Sequence, residues 1–216
     1  MPTNYDIHDL NQVNVLLEEM DERARIAWAH RTFGNHLALT TSFGTYSSVM
    51  LHMISRWAPD ATIISVDTGH NAETLAFAEQ LIDMLGIRVF RYNIASTTYK
   101  SETSDLPLEE YLQSTKVETL ENALKEHNVH AWMSGVQRHE TDHRRIFQLL
   151  MRRSDGLYKF HPLLDWDSRK LYAYCKQHSL PINDNYIDPS KGADQSKECG
   201  IHLTGLANQS FTSSEL

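Results

Sequence analysis

A cysteine near the C-terminus has neighbours of the kind that activate a thiol. Cys199 lies two residues after Lys197 and three residues before His202. Nearby positive charge favours the thiolate, which is the form of cysteine that attacks electrophiles. The segment could therefore supply a nucleophile, and the alternative is a cysteine without a chemical role. Cys175 lies among the apolar residues of a predicted helix, so we expect a structural role for it.

Residues 42–48 have the composition of an anion-binding loop. An apolar, β-branched run ends at Thr41 and a helical pattern begins at Val49. The residues of interest between them are Ser42, Phe43, Gly44, Ser47 and Ser48. A strand, loop and helix in this order direct backbone N–H groups at one point beside a helix N-terminus, where phosphate or sulfate binds. The alternative is an ordinary turn of an α/β domain, since a short Ser/Gly motif is not specific.

Polar side chains also follow two other apolar segments. Asp67, Thr68 and Gly69 come directly after a predicted strand, and they could bond a ribose or an adenine edge or simply form a turn. Arg138 and Arg144 follow another predicted strand. Guanidinium groups suit phosphate and sulfate oxygens, while a solvated surface position is the alternative for both arginines.

Alternating strand and helix patterns position these residues. Strand patterns cover residues 37–41, 62–66, 88–92, 131–136 and 157–161. Helical patterns cover residues 10–33, 49–57, 72–85, 117–127 and 169–178, with Lys116 just before the fourth. The repeated βαβ order predicts an α/β fold with a doubly wound, mostly parallel sheet. Because ligands bind at the carboxyl ends of such strands, segments 42–48, 67–70 and 137–145 should meet at one edge.

Composition limits the class of protein. The chain has 216 residues, of which 41 % are hydrophobic, enough for one domain over residues 1–202, followed by a polar tail over residues 203–216. A net charge of -8 argues against a nucleic-acid-binding surface. No apolar run has the length of a bilayer and no basic, apolar signal begins the chain, so we expect a cytoplasmic protein without a membrane partner. Two cysteines, and histidines without metal-ligand spacing, predict no metal site.

Taken in order, these pieces resemble the phosphoadenylyl-sulfate (PAPS) reductases, the sulfonucleotide reductases of assimilatory sulfate reduction. The resemblance extends from about residue 37 to residue 202, and its most specific part is the pentapeptide that contains Cys199. The matching segments are Ser42-Phe43-Gly44, Asp67-Thr68-Gly69, Lys116-Val117-Glu118, Trp132-Met133-Ser134-Gly135, His161-Pro162-Leu163-Leu164-Asp165-Trp166 and Glu198-Cys199-Gly200-Ile201-His202. In this context a catalytic role for Cys199 is favoured over a cysteine without one.

The resemblance implies a fold related to the ATP pyrophosphatases, the adenine-nucleotide alpha-hydrolase-like fold. It implies that Cys199 attacks the sulfur of PAPS, with His202 near the phosphosulfate and the basic residues on the anion. The products would be adenosine 3′,5′-bisphosphate and an S-sulfocysteine, from which reduced thioredoxin or glutaredoxin releases sulfite. The family also suggests a homodimer. The implied substrate-binding residues are Ser42, Phe43, Gly44, Ser47, Ser48, Asp67, Thr68, Gly69, Lys116, Arg138 and Arg144.

Two features narrow the resemblance and two depart from it. Related ATP-cleaving enzymes carry a Ser-Gly-Gly-x-Asp-Ser loop, whereas Phe43 and Tyr46 stand here at the first glycine and the aspartate. Two cysteines cannot ligate a [4Fe–4S] cluster, so we expect the cluster-free branch that acts on PAPS. The segment 187–196 is shorter than in the family, however, and Gln137-Arg138 replaces an arginine pair. The alternatives are a related enzyme for another adenylylated or sulfated nucleotide and a nucleotide-binding protein without turnover.

Overall fold

The computed structural model describes residues 6–94, 107–191, 193 and 195. Cys199, His202 and the expected tail over residues 203–216 lie outside the described residues. The described chain forms a central sheet with helices on both faces. In this part of the chain, no helix is both long enough and apolar enough to cross a membrane.

Within the described ranges, six strands form the sheet in the order β3-β2-β1-β4-β6-β5. The strands are β1 (Leu37–Thr40), β2 (Thr62–Asp67), β3 (Val89–Asn93), β4 (Ala131–Met133), β5 (Leu150–Arg152) and β6 (Tyr158–Phe160). Every neighbouring pair is parallel except β5 and β6, which are antiparallel. The chain runs outwards from β1 to β3 and then continues with β4 on the other side of β1, so the direction of winding reverses there. The predicted doubly wound, mostly parallel α/β sheet is confirmed.

The described residues form six α-helices beside the sheet. They are α1 (Leu10–Glu18), α2 (Glu22–Phe33), α3 (Ser47–Trp57), α4 (Ala72–Leu85), α5 (Leu108–Glu126) and α6 (Ser168–Gln177). The single helix predicted over residues 10–33 was wrong, because Asp21 caps a second helix by accepting from the N–H of Ala24 at 2.7 Å. The predicted start at residue 117 was also wrong: α5 begins nine residues earlier, so Lys116 lies within the helix rather than before it.

The side chains of the central strands alternate between two apolar clusters, one on each face of the sheet. Leu37 and Leu39 pack in the cluster that includes α1, α2, α3, α4 and α6, while Ala38 packs in the cluster that includes α5. Trp132 of β4 lies on the α5 face, where its indole N–H donates to Thr40 Oγ1 at 2.7 Å. Both faces of the sheet are therefore buried, as is usual for parallel strands.

The short strand β5, which the sequence patterns did not predict, forms one edge of the sheet. It pairs with β6, with Leu150 opposite Phe160. The backbone N–H and C=O of Leu150 bond to the side chain of Asn14 in α1, at 2.8 and 2.9 Å. Asn14 thus provides an acceptor and a donor of the kind that the backbone of a further strand would provide.

Candidate active site

A cavity of about 470 Å³ opens at the carboxyl ends of β1, β2 and β4. Winding reverses between β1 and β4, and doubly wound sheets bind ligands at such a point. The walls come from the loop after β1, from α5, from the loop after β4 and from Tyr186, Asp188, Lys191 and Gln195. The polar residues that line the cavity are Thr40, Thr41, Ser42, Thr45, Tyr46, Ser47, Lys116, Ser134, Gln137, Glu140, Arg144, Tyr186, Asp188, Lys191 and Gln195.

The loop between β1 and α3 is held in an uncommon backbone conformation. Phe43 is buried and has a φ of 54°, a left-handed conformation that is rare for a bulky residue. The side-chain N–H of Asn183 donates to the C=O of Phe43 at 2.8 Å, and the backbone N–H of Asn183 donates to the C=O of Thr45 at 3.1 Å. A residue 140 positions along the chain therefore fixes this loop.

The start of α3 presents an unsatisfied hydroxyl group at the cavity. Ser42, Gly44 and Ser47 line the cavity here. The N–H groups of Ser47 and Val49 are already bonded to carbonyl oxygens of the loop. The buried hydroxyl of Ser47, by contrast, has no hydrogen-bond partner within the described residues. An anion at this point would meet that hydroxyl and the positive end of the helix dipole.

Lys116 and Asp188 form a buried ion pair in the cavity wall. Lys116 Nζ donates to Asp188 Oδ2 at 2.7 Å and to Ser190 Oγ at 3.2 Å. Both charged side chains are only 4 % exposed. The second carboxylate oxygen of Asp188 accepts from the backbone N–H and the hydroxyl of Ser190, at 3.0 and 2.6 Å. Lys116 thus contributes positive charge to the cavity wall, and it already has a carboxylate partner.

The segment after α6 folds around Asp188. The backbone N–H of Asp188 donates to Gln195 Oε1 at 2.9 Å, and Gln195 Nε2 donates back to the C=O of Asp188 at 3.2 Å. Lys191 Nζ donates to the C=O of Gln195 at 3.1 Å. Asp188, whose carboxylate binds Lys116, is therefore held in place by hydrogen bonds to its backbone.

The two predicted arginines lie in different environments. Arg144 is buried, lines the cavity and forms an ion pair with Glu140. Arg138 is not among the described residues that line the cavity. Its guanidinium donates to Asp165 Oδ1 at 3.1 Å and to the C=O of Phe147. Arg138 therefore fastens the loop after β4, and Arg144 is the arginine that faces the cavity.

The residues predicted at the end of β2 form a turn beside the cavity. Asp67 Oδ1 accepts from the backbone N–H groups of Gly69 and His70, both at 2.8 Å. Asp67, Thr68 and Gly69 are not among the described residues that line the cavity. The ring of His70 lies 6.1 Å from that of Tyr186, which does line it. Phe43 and Ser48 are buried in the fold and are not among the described residues that line the cavity.

A buried histidine supports the floor of the cavity. His161 Nδ1 lies 2.9 Å from the hydroxyl of Ser134, which lines the cavity. Burial, together with the positive charges of Lys159 and Arg144, lowers the pKa of His161 to about 3. This imidazole is therefore uncharged at neutral pH, and its role is to hold Ser134 rather than to bind an anion by charge.

Several polar residues of the lining were not identified individually from the sequence, among them Glu140, Tyr186 and Asp188. Glu140 precedes Arg144 by four positions, a spacing at which opposite charges often pair. Asp188 begins an Asp-Pro-Ser turn sequence, but nothing in that sequence connects it with Lys116. Tyr186 carried no signal of its own.

Comparisons with known proteins agree on one family. Residues 36–187 match the family model of the phosphoadenosine phosphosulfate reductase domain. A phosphoadenosine 5′-phosphosulfate reductase from Xylella fastidiosa (strain M12) is 35 % identical over 192 residues, covering 85 % of this chain and 81 % of the relative. A protein of the same name from a Synechococcus species is 32 % identical over 227 residues, covering 90 % of this chain and 97 % of the relative.

Solved structures share the fold. The crystal structure of PAPS reductase from Candida auris, a phosphate complex, has a TM-score of 0.68 and 24 % identity, and the match covers 84 % of this chain and 91 % of that chain. An NH3-dependent NAD synthetase from Campylobacter jejuni has a TM-score of 0.55 and 13 % identity, covering 80 % and 74 %. The expected adenine-nucleotide alpha-hydrolase-like fold is confirmed. On the match over residues 36–187 and on these relatives, the chain belongs to the phosphoadenosine phosphosulfate reductase family of oxidoreductases.

Proposed function

We propose that this chain reduces PAPS to sulfite and adenosine 3′,5′-bisphosphate, with Cys199 as the nucleophile. The observation that carries the proposal is the cavity at the point where the winding of the sheet reverses, lined by the β1–α3 loop, Lys116 and Arg144. The chain that forms this cavity belongs to the phosphoadenosine phosphosulfate reductase family. The unsatisfied hydroxyl of Ser47 supports an oxyanion ligand beside the start of α3.

The proposed reaction has two steps. The Cys199 thiolate attacks the sulfur of PAPS, and the bond between that sulfur and the bridging phosphate oxygen breaks. This step leaves adenosine 3′,5′-bisphosphate and an S-sulfocysteine. A thiolate of a reduced dithiol protein, thioredoxin or glutaredoxin, then attacks Cys199 Sγ and expels sulfite. The second thiol of the donor resolves the mixed disulfide, so the donor becomes oxidised by two electrons and Cys199 is restored.

Chain length supports the placement of the nucleophile near the cavity. Gln195 lines the cavity, and Cys199 follows it by four residues. An extended chain covers ~3.3–3.6 Å per residue, so the two Cα atoms are at most about 14 Å apart. His202 follows three residues later and would lie near the phosphosulfate. Two cysteines in the whole chain cannot ligate a [4Fe–4S] cluster, so the proposed enzyme works without one.

Sulfite release decides the proposal. The purified chain is supplied with reduced thioredoxin and, in separate reactions, with PAPS or adenylyl sulfate. We expect sulfite from PAPS and its loss in Cys199→Ser, since a hydroxyl without a base is a poor nucleophile. Sulfite from adenylyl sulfate alone would assign the enzyme to the related nucleotide. Nucleotide binding without sulfite from either compound would make the chain a binding protein and reject the proposal.

A further inference from the structure

The charges of the described residues that line the cavity nearly cancel. Within the described residues, Lys116, Arg144 and Lys191 line it with positive charge, and Glu140 and Asp188 line it with negative charge. Three positive and two negative groups leave a net charge of one positive. A site for a polyanion would normally carry a larger excess of positive charge, because each ligand charge that leaves bulk water needs a counter-charge in the site.

Both carboxylates form ion pairs with cations of the cavity. Asp188 binds Lys116 at 2.7 Å, with both side chains 4 % exposed, and Glu140 pairs with Arg144. These two cations come from different elements, α5 and the loop after β4, so the pairing occurs twice independently. Any anion that approaches Lys116 or Arg144 also approaches a carboxylate.

Asp188 is a permanent negative charge at neutral pH. Burial would raise the pKa of its carboxyl group. The charge of Lys116 and the hydrogen bonds from Lys116 and Ser190 outweigh burial and hold that pKa below its ordinary value. Because the group cannot shed its charge by taking up a proton, a ligand must tolerate it or displace it.

We infer that Asp188 is a specificity-determining residue that makes the cavity favour a nucleotide ending in sulfate over the same nucleotide ending in phosphate. The inference rests on the proposed function. A terminal sulfate carries one negative charge, whereas a terminal phosphate of similar shape carries nearly two at pH 7. Both nucleotides share the α-phosphate, so the extra negative charge of a terminal phosphate is the difference that the lining meets. The described lining carries only one net positive charge, and Asp188 adds a carboxylate beside Lys116. Adenylyl sulfate and ADP differ in this terminal group alone.

Calorimetric titration with adenylyl sulfate and ADP tests the inference. All proteins carry Cys199→Ser, so that no sulfonate group is transferred during the titration. We expect this parent protein to bind adenylyl sulfate at least about tenfold more tightly than ADP, or ~1.4 kcal/mol. Adding Asp188→Asn should reduce that ratio by about tenfold, chiefly by tightening ADP. Asp184→Asn removes an exposed charge from the same segment and should leave the ratio unchanged.

Three results would overturn the inference: equal affinity of the parent for both nucleotides, an equal change for both in Asp188→Asn, or a loss of both. Should Asp188→Asn fail to fold, the inference is tested by Glu140→Gln and by the ratio of the parent's affinities for adenylyl sulfate and ADP. Glu140 is 41 % exposed, and its neutralisation should shift the ratio in the same direction by a smaller factor. Sulfite release by the unaltered chain is measured separately. Selective binding without sulfite would therefore reject the proposed reaction and leave the inference on specificity standing.

Discussion

The thiol of Cys175 lies 3.6 Å from the hydroxyl of Ser48, where α6 packs against α3. Cys175 is 1 % exposed, and burial raises the pKa of its thiol. A neutral thiol without access to solvent is unreactive. The structural role predicted for Cys175 agrees with this position, and Cys199 remains the proposed nucleophile.

The two cysteines should differ in both reactivity and function. We expect iodoacetamide to modify Cys199 in the native chain and Cys175 only after unfolding, as measured by mass spectrometry of the peptides. Cys175→Ser should keep most sulfite release, while Cys199→Ser should lose it and still bind nucleotide. Substantial turnover in Cys199→Ser would refute the proposed nucleophile.

Removing Lys116 alone should destabilise the fold, because it leaves the buried carboxylate of Asp188 without its counter-charge. Breaking a buried ion pair typically costs ~3–5 kcal/mol, whereas replacing both partners is often nearly neutral. We therefore expect Lys116→Met to lower the free energy of unfolding by about that amount in urea titrations. Adding Asp188→Asn should restore most of it. Additive losses in the double variant would show that the two side chains are not coupled.

Alanine variants of the arginines in the loop after β4 should differ in their affinity for PAPS. Arg144→Ala should weaken PAPS binding by about tenfold to a hundredfold, the usual effect of losing one charged hydrogen bond. Arg145→Ala is the matched control, since Arg145 is 75 % exposed in the same turn. Arg138→Ala should mainly lower stability, because its guanidinium holds Asp165 and the C=O of Phe147. An Arg144 variant with unchanged affinity would remove that residue from the binding site.

His161 should make the stability of the chain depend on pH. Its pKa is about 3 in the folded chain and ~6.5 in an unfolded one, so below pH 6.5 only the unfolded chain gains this proton. Stability therefore falls as the pH drops from about 6.5 towards 3, and the loss between pH 7 and 5 is about 2 kcal/mol. Urea unfolding of the parent and of His161→Asn at both pH values measures it. The variant should show the smaller difference, and equal differences would contradict this role.

Local signals in the sequence were sufficient for much of the fold. α4 has the predicted bounds, because Asn71 caps its start and Gly86 ends it with a φ of 60°. The central strands were found through their buried, β-branched runs. β5 was missed because its three residues have no pattern of their own and form a strand only against β6. The first half of α5 was missed because its sequence is mostly polar, and Leu112 is the one buried hydrophobic residue among its described positions.

The candidate site was predictable where one segment carries it and not where distant segments meet. The β1–α3 loop is continuous in sequence, so its position at the sheet edge could be foreseen. Lys116 and Asp188 are 72 residues apart, and no local pattern links them. Arg138 and Arg144 have the same chemistry in the same loop. Only their partners, Asp165 and Glu140, distinguish the arginine that holds the loop from the one that faces the cavity.

The two hydrogen bonds between Asn14 and Leu150 affect how another chain could associate with the sheet. An exposed strand edge is a template on which a second chain can add a strand, which is a common route to aggregation. The main-chain groups of Leu150 are already satisfied by a side chain of α1. A copy of the chain that approached β5 would therefore find the backbone N–H and C=O of this residue already hydrogen-bonded. One amide on the first helix thus makes β5 a poorer template for strand addition at Leu150.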